Sequence, residues 1–239
     1  MIFHHKTLPG KLIRIPFKII PKRKKLRILT GPAKNIRILY GSGLISQWIG
    51  IYEKNIIKKI IKYLKPDKIY YDIGAHIGYY SFIFSKLGRK VYSFEPHPLN
   101  FYFLKEHIKL NNLKNTYVFN FAIYSENKKV FFELNDDRTE GKIKNYGNFL
   151  VDAFTLDYLI YEKKFDEPDF IKIDVEGAEF EVLKGSQKIL KFKKPLILIS
   201  IHSENLKNEI LFFLKKIGYK EKIISKDVLF FYYENSIFP

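Results

Sequence analysis

Apolar and polar residues alternate along positions 68–234 in two rhythms that take turns. Strand spacing runs through KIYYD (68–72), KVYSFE (90–95), TYVFNFAI (116–123), VFFEL (130–134), DFIKID (169–174), LILISIH (196–202), KEKIIS (220–225) and VLFFYYE (228–234). Helical spacing runs through 78–87, 98–111, 155–163, 178–190 and 205–217, with Gly88 and Asn111-Asn112 as stop signals. An amphipathic helix precedes the series: NIIKKIIKYL separates apolar pairs by lysine pairs and ends near Pro66. Strand–helix alternation of this kind predicts an α/β fold with a doubly wound, mostly parallel sheet. The last two strands are joined too tightly for a crossover, so at least one pair is antiparallel. The polar stretch NDDRTEGKIKNYGN (135–148) reads as a lid, an acceptor-binding loop or a passive connection.

Residues 1–48 are less periodic. Their apolar pieces, LIRI and IRILY, are broken by Pro9, Pro16, Pro21 and Pro32, which predicts extended segments. The expected division is an N-terminal extension over 1–48 and the main domain over 49–239. Charge sharpens this division. The net charge is +17, yet residues 1–37 hold eleven Lys or Arg and no acid, leaving 31 basic against 25 acidic residues elsewhere. Such an arm suits an anionic membrane, a nucleic acid or an acidic substrate; a solvated basic extension reads equally well. The absence of Cys excludes disulfides, thiolate nucleophiles and Cys-bound zinc. No apolar run reaches the roughly 18–20 residues of a membrane span, and no signal-peptide pattern opens the chain, so the expected location is cytoplasmic, with peripheral membrane contact through residues 1–37.

Candidate chemistry sits at strand ends, where doubly wound sheets bind ligands. The first turn is Asp72-Ile73-Gly74-Ala75-His76-Ile77-Gly78. Gly74 and Ala75 allow close approach of a ligand, and Gly78 allows the helix to pack on the sheet. Glu95 ends the next strand, 21 residues after Gly74, where a carboxylate accepts from a ribose diol. A pyrophosphate site opens its helix with G-x-G-x-x-G, whereas this turn is D-x-G-x-x-x-G. An acid there repels pyrophosphate and attracts an ammonium or sulfonium, which points to S-adenosylmethionine (SAM) rather than NAD. Further along, KIDVEGAE places Asp174 and Glu176 where a strand becomes a helix, able to accept a proton, orient an alcohol or hold a divalent metal. Glu179 reads as a first-turn acid favouring the helix dipole. His202 lies at the ligand side of the fifth strand and reads equally as a base or a structural residue. His107, in mid-helix, is expected at the surface.

These residues carry a resemblance. YDIGAHIGYYS (71–81), FEPHPLNFYFLKEHIKLNN (94–112), TLDYL (155–159) and above all FIKIDVEGAEFEVLKG (170–185) resemble the FkbM family of SAM-dependent methyltransferases over about residues 48–220. YGSG…QWIGIYE (40–53) resembles the segment preceding that family's first strand. The resemblance implies a seven-stranded, Rossmann-like class I methyltransferase fold and methyl transfer to a hydroxyl of a sugar, glycolipid or secondary metabolite. It places Asp72, Gly74 and Gly78 along the methionyl and ribose side of SAM, Glu95 on the ribose hydroxyls, and Asp174, Glu176 and His202 toward the acceptor. His76 stands where Asn is common, and Ser200 where an acid commonly precedes the histidine by two residues. Competing readings are a nucleic-acid methyltransferase using the basic arm, a non-catalytic nucleoside-binding module and an NAD-dependent oxidoreductase. The chain has no Asn-Pro-Pro-aromatic tetrapeptide and no Cys, which counts against two common routes of nucleic-acid methylation.

Overall fold

The computed structural model describes residues 21, 23–134, 141–144 and 149–233; most of the proposed basic arm and much of the 135–148 connection lie outside these. A hairpin of β1 (Lys25–Arg27) and β2 (Arg37–Leu39) comes first, then α1 (Ile45–Ile49) and α2 (Lys54–Ile60), extended by one 3-10 turn over Ile61–Tyr63. The alternating part follows: β3 (Ile69–Ile73), α3 (Tyr79–Leu87), β4 (Lys90–Phe94), α4 (Pro98–Leu110) and β5 (Thr116–Phe119). Next come β6 (Ala122–Ile123), β7 (Lys128–Leu134), β8 (Gly141–Lys144), β9 (Phe149–Phe154) and α5 (Leu156–Tyr161). The chain continues through β10 (Phe170–Ile173), α6 (Glu179–Lys184), α7 (Gln187–Phe192), β11 (Leu196–Ser200), α8 (Glu204–Ile217), β12 (Lys220–Ser225) and β13 (Val228–Tyr232).

The main sheet has seven strands in the order β12-β13-β11-β10-β3-β4-β5, as the resemblance implied. All its pairs are parallel except those of β13, which runs antiparallel to β11 and β12. Every residue of β3 and β10 is buried, as expected of parallel strands covered on both faces. The chain winds outward from β3 through β4 to β5, then returns to place β10 on the other side of β3. The order reverses at that point, and a crevice opens beyond the strand ends.

Two apolar clusters cover the two faces. Tyr71, Ile73, Ile171 and Ile173 pack with α5 to α8. Tyr70, Phe170, Leu198 and Phe230 pack with α2 and α3, and Ile28, Ala33, Ile36 and Ile38 belong to that same cluster. The described part of the N-terminal extension is therefore built into the core.

Several elements differ from the sequence reading, among them α1 in the segment expected to be extended and β8 within the 135–148 stretch expected as a connection. The run 116–123 is divided, β5 staying in the main sheet while β6 opens a second sheet ordered β6-β9-β7-β8. Asn120 causes the division: its Nδ2 donates to the carbonyls of Glu95 (2.9 Å) and Pro96 (3.1 Å) and turns the chain across the end of β4. The strand β9 pairs with β7 and buries Val151 and Ala153, in a segment where no strand was expected. The helix expected over 178–190 breaks at Gly185-Ser186, where the chain passes so close to the Tyr124 carbonyl that a Cβ on Gly185 would stand 2.0 Å from its oxygen.

His107 corrects the surface expectation: it is fully buried. Its Nε2 accepts from the Leu39 amide (3.0 Å), and its Nδ1 lies 3.0 Å from the Ile77 carbonyl, so one neutral tautomer ties β2 to the loop before α3. Burial pushes its pKa down to about 4. Unfolding therefore takes up a proton between about pH 4 and 6.5, and the contribution of the neutral ring is complete above pH 6.5 and lost toward pH 4. Urea denaturation should show His107 costing the protein roughly 2 kcal/mol between pH 7 and pH 5, a dependence that His107→Phe removes.

Candidate active site

The crevice holds a cavity of about 280 Å³. Its walls come from the β3–α3 loop (Gly74 to His76), the end of β4 (Glu95 to His97), the β10–α6 loop (Lys172 and Asp174 to Glu176) and the second sheet (Phe132 and Ile143). Of the residues singled out in the sequence, Gly74, Ala75, His76, Glu95, Asp174 and Glu176 line it directly. Asp72 and Gly78 are buried behind that lining, and His202 is exposed beside Glu176. Gly78 is the N-cap of α3 with φ +99°, and a Cβ there would meet Leu104 of α4 and Phe82 of α3, so its close approach is to a neighbouring helix rather than to the sheet.

Asp72 and Lys172 are register partners on β3 and β10, and Ser93 partners Asp72 on β4. A polar row thus crosses three central strands on the face that α3 covers. Asp72 is fully buried; its Oδ2 accepts from Ser81 Oγ at 2.6 Å, and its Oδ1 stands 3.5 Å from Lys172 Nζ. The same ammonium lies 3.5 Å from Asp174 Oδ2 and donates to the Gly74 carbonyl at 3.0 Å. Burial alone would push the Lys172 pKa down, but Asp174, Asp72 and Glu53 more than offset it, and the ammonium titrates above its ordinary range. Its position as the first residue of KIDVEGAE does not by itself disclose a role for Lys172. Here it joins the two loops that frame the cavity.

Gly74 carries a tighter constraint than close approach of a ligand. It adopts φ +76°, and an added Cβ would stand 1.8 Å from the Asp174 carbonyl oxygen. The β3 and β10 exit loops touch through its bare backbone.

Glu95 is clamped by backbone. Its Oε2 accepts from the His76 amide at 2.7 Å and its Oε1 from the His97 amide at 2.8 Å. His76 adopts φ +53° to bring its amide there. Burial raises the Glu95 pKa, the two amides pull it back in part, and it settles at about 7. Each oxygen retains acceptor capacity toward the cavity, as a diol-binding carboxylate requires.

Glu179 is more than a dipole-favouring acid. It is fully buried, and its Oε1 accepts from the amides of Val175 (3.2 Å) and Gly177 (3.1 Å) and meets His202 Nδ1 at 2.8 Å. This orients the imidazole, so that Nε2 stands 3.3 Å from Glu176 Oε2 and 3.7 Å from Asp174 Oδ1. The hydrogen bond to Glu179, followed by the charges of Glu179, Glu176 and Asp174, raises the His202 pKa to about 9. His202 is an imidazolium at neutral pH, and the cluster's ready proton acceptors are the carboxylates. The acid missing at Ser200 is supplied from α6. Asp174, Glu176 and His202 also offer one ligand atom each within 4.8 Å of one another, a spacing compatible with a divalent cation. A cation there and the proton on Nε2 exclude each other.

The profile of the methyltransferase FkbM domain family matches residues 72–221. The chain belongs to the FkbM methyltransferase family. Among curated proteins it is 27% identical over 154 residues to the hexuronic acid methyltransferase AglP of Haloferax volcanii. That alignment covers 63% of each chain, so this chain spans less than two thirds of the relative. Among solved structures, the methyltransferase FkbM of Methylobacillus flagellatus superposes with a TM-score of 0.53 at 21% identity, over 70% of this chain and 44% of that one. Trm5b of Pyrococcus abyssi superposes with a TM-score of 0.50 at 13% identity, over 83% of this chain and 53% of that one. At such identities the two superpositions show the shared fold. Among the described residues, no helix is long and apolar enough to cross a membrane.

Removing the Lys172 charge should strand Asp72 in the sheet. Lys172→Met is expected to cost about 3–5 kcal/mol in urea denaturation. Adding Asp72→Asn should cost less than the sum of the two single changes, since they share one interaction.

Proposed function

We propose that this methyltransferase moves the methyl group of SAM to a hydroxyl of a sugar-bearing acceptor. The observation that carries the reading is the division of the cavity: Glu95 is clamped at one end with acceptor capacity for a ribose diol, and Asp174 and Glu176 stand at the other. The carboxyls of Glu95, Asp174 and Glu176 line the cavity and those of Glu53, Asp72 and Glu179 lie behind them, against the Lys172 ammonium and the His202 imidazolium. This excess of acid favours a donor with sulfonium and ammonium charges and disfavours a pyrophosphate. The likeness to a hexuronic acid methyltransferase supports a sugar acceptor.

In the reaction the acceptor oxygen attacks the methyl carbon in line with the departing sulfur. The new O–C bond forms as the S–C bond breaks, and sulfur keeps the electron pair as a neutral thioether. The hydroxyl proton passes to Asp174 or Glu176, whose carboxylates are part-exposed at the cavity. His202, held protonated by Glu179, fixes those carboxylates. A divalent cation on Asp174, Glu176 and His202 would instead lower the pKa of a bound hydroxyl.

Transfer of labelled methyl from SAM to glucuronides and neutral glycosides, with RNA run beside them, tests the reading. Methylated glycosides support it; methylated RNA with inert glycosides overturns it. Asp174→Asn and Glu176→Gln should each leave the Kd for SAM within about threefold, and loss of the proton acceptor should lower kcat about 10²–10⁴-fold. The Glu95 carboxylate form binds the diol. Affinity for SAM should therefore weaken as pH falls through 7, by up to about tenfold at pH 6, and Glu95→Gln should abolish that slope.

A further inference from the structure

A carboxyl on the segment ahead of the matched family domain stands behind the wall of the same mouth. Leu44, Gln47 and Tyr52 line the cavity beside Tyr80 of α3. The segment's place is fixed by the hairpin: the Leu29 amide donates to the Trp48 carbonyl (3.1 Å), and the Thr30 amide and hydroxyl both donate to the Ile49 carbonyl (3.1 and 2.6 Å). Trp48 Nε1 returns a bond to the Arg27 carbonyl at 3.0 Å. Glu53 follows as the N-cap of α2 with φ +46°, a left-handed conformation costly for Glu that persists only where its surroundings impose it.

What they impose is a brace. Tyr80 Oη donates to Glu53 Oε2 at 2.5 Å, and Tyr52 directly precedes Glu53 in the chain. The Tyr52 ring meets Tyr79 edge-on at 5.4 Å, which sets its plane. Tyr52 and Tyr80 line the cavity together, and Lys172 Nζ, 5.4 Å from the centre of the Tyr80 ring, links that ring to Asp174, so this wall adjoins the β10 side of the mouth. Burial raises the Glu53 pKa.

We propose that Tyr52 is an acceptor-binding residue for a sugar ring and that Glu53 is its positioning residue, acting with Tyr80 to fix the Tyr52 ring beside Asp174 and Glu176. An aromatic ring bearing a hydroxyl suits a pyranose, whose C–H face packs on the ring while its hydroxyls exchange hydrogen bonds with Tyr52 and the carboxylates. The inference rests on the proposed sugar methylation.

The test is steady-state methylation of glucuronides and neutral glycosides by the full chain and its Tyr52→Phe, Tyr52→Ala, Glu53→Gln and Glu53→Asp variants, with calorimetric Kd values for SAM. Glu53→Gln should raise acceptor KM at least tenfold, Tyr52→Ala should raise it further, and Glu53→Asp should restore part of the loss. All four should bind SAM within about threefold of the parent, which also reports an intact fold. A rise in SAM Kd matching the loss of activity overturns the inference, because the wall would then belong to the cofactor. Unchanged acceptor KM in Glu53→Gln and Tyr52→Ala overturns it while leaving sugar methylation standing. No glycoside methylated by the parent overturns both.

Discussion

One buried ammonium joins the parts of this site. Lys172 stands in register with Asp72 in the middle of an otherwise apolar parallel sheet and reaches the Gly74 carbonyl and the Asp174 carboxylate. Two charges inside a sheet stabilise little by themselves, since desolvation consumes most of their attraction. Their consequence is positional. The β3 and β10 exit loops, one carrying Gly74 to His76 and the other Asp174 and Glu176, are held together by Lys172 and by the bare backbone of Gly74 against the Asp174 carbonyl. The single methylene by which Glu is longer than Asp, or a Cβ at Gly74, would part the surfaces on which the rest of the crevice depends.

Around this joint the acids divide their work by environment. Glu95 is buried under two backbone amides and titrates near neutrality. Glu179 is buried against two amides and His202, and spends itself on orienting the imidazole. Asp174 and Glu176 keep part of their surface open to the cavity. Five elements far apart in the sequence meet here: the segment before α2, the ends of β3, β4 and β10, and the start of α8. A parallel sheet gathers them because all its crossovers begin at the same edge.

Much of the main sheet is legible in the sequence because its strands are short apolar runs bounded by helical periods. The site residues at the strand ends are legible for the same reason: Asp72, Glu95, Asp174 and His202 each stand where an apolar run stops. What the sequence conceals is long-range. His107 lies in mid-helix among polar neighbours, and only the packing of β2 on α4 buries it. The orientation of His202 by Glu179 joins positions 23 residues apart, and strand β11 alone gives no sign of it. The second sheet is hidden because Asn120 turns the chain inside TYVFNFAI, a run that otherwise reads as one strand. Glu53 reads as the acid before an amphipathic helix until the hairpin carries it behind the wall of the mouth.

The measurement that reaches the centre of this account is calorimetric titration of the full chain with SAM and, separately, with NAD. An acid-rich mouth with a clamped Glu95 predicts one SAM per chain and no detectable NAD. Binding of NAD in place of SAM, or no binding of SAM by a chain that circular dichroism shows to be folded, would contradict it.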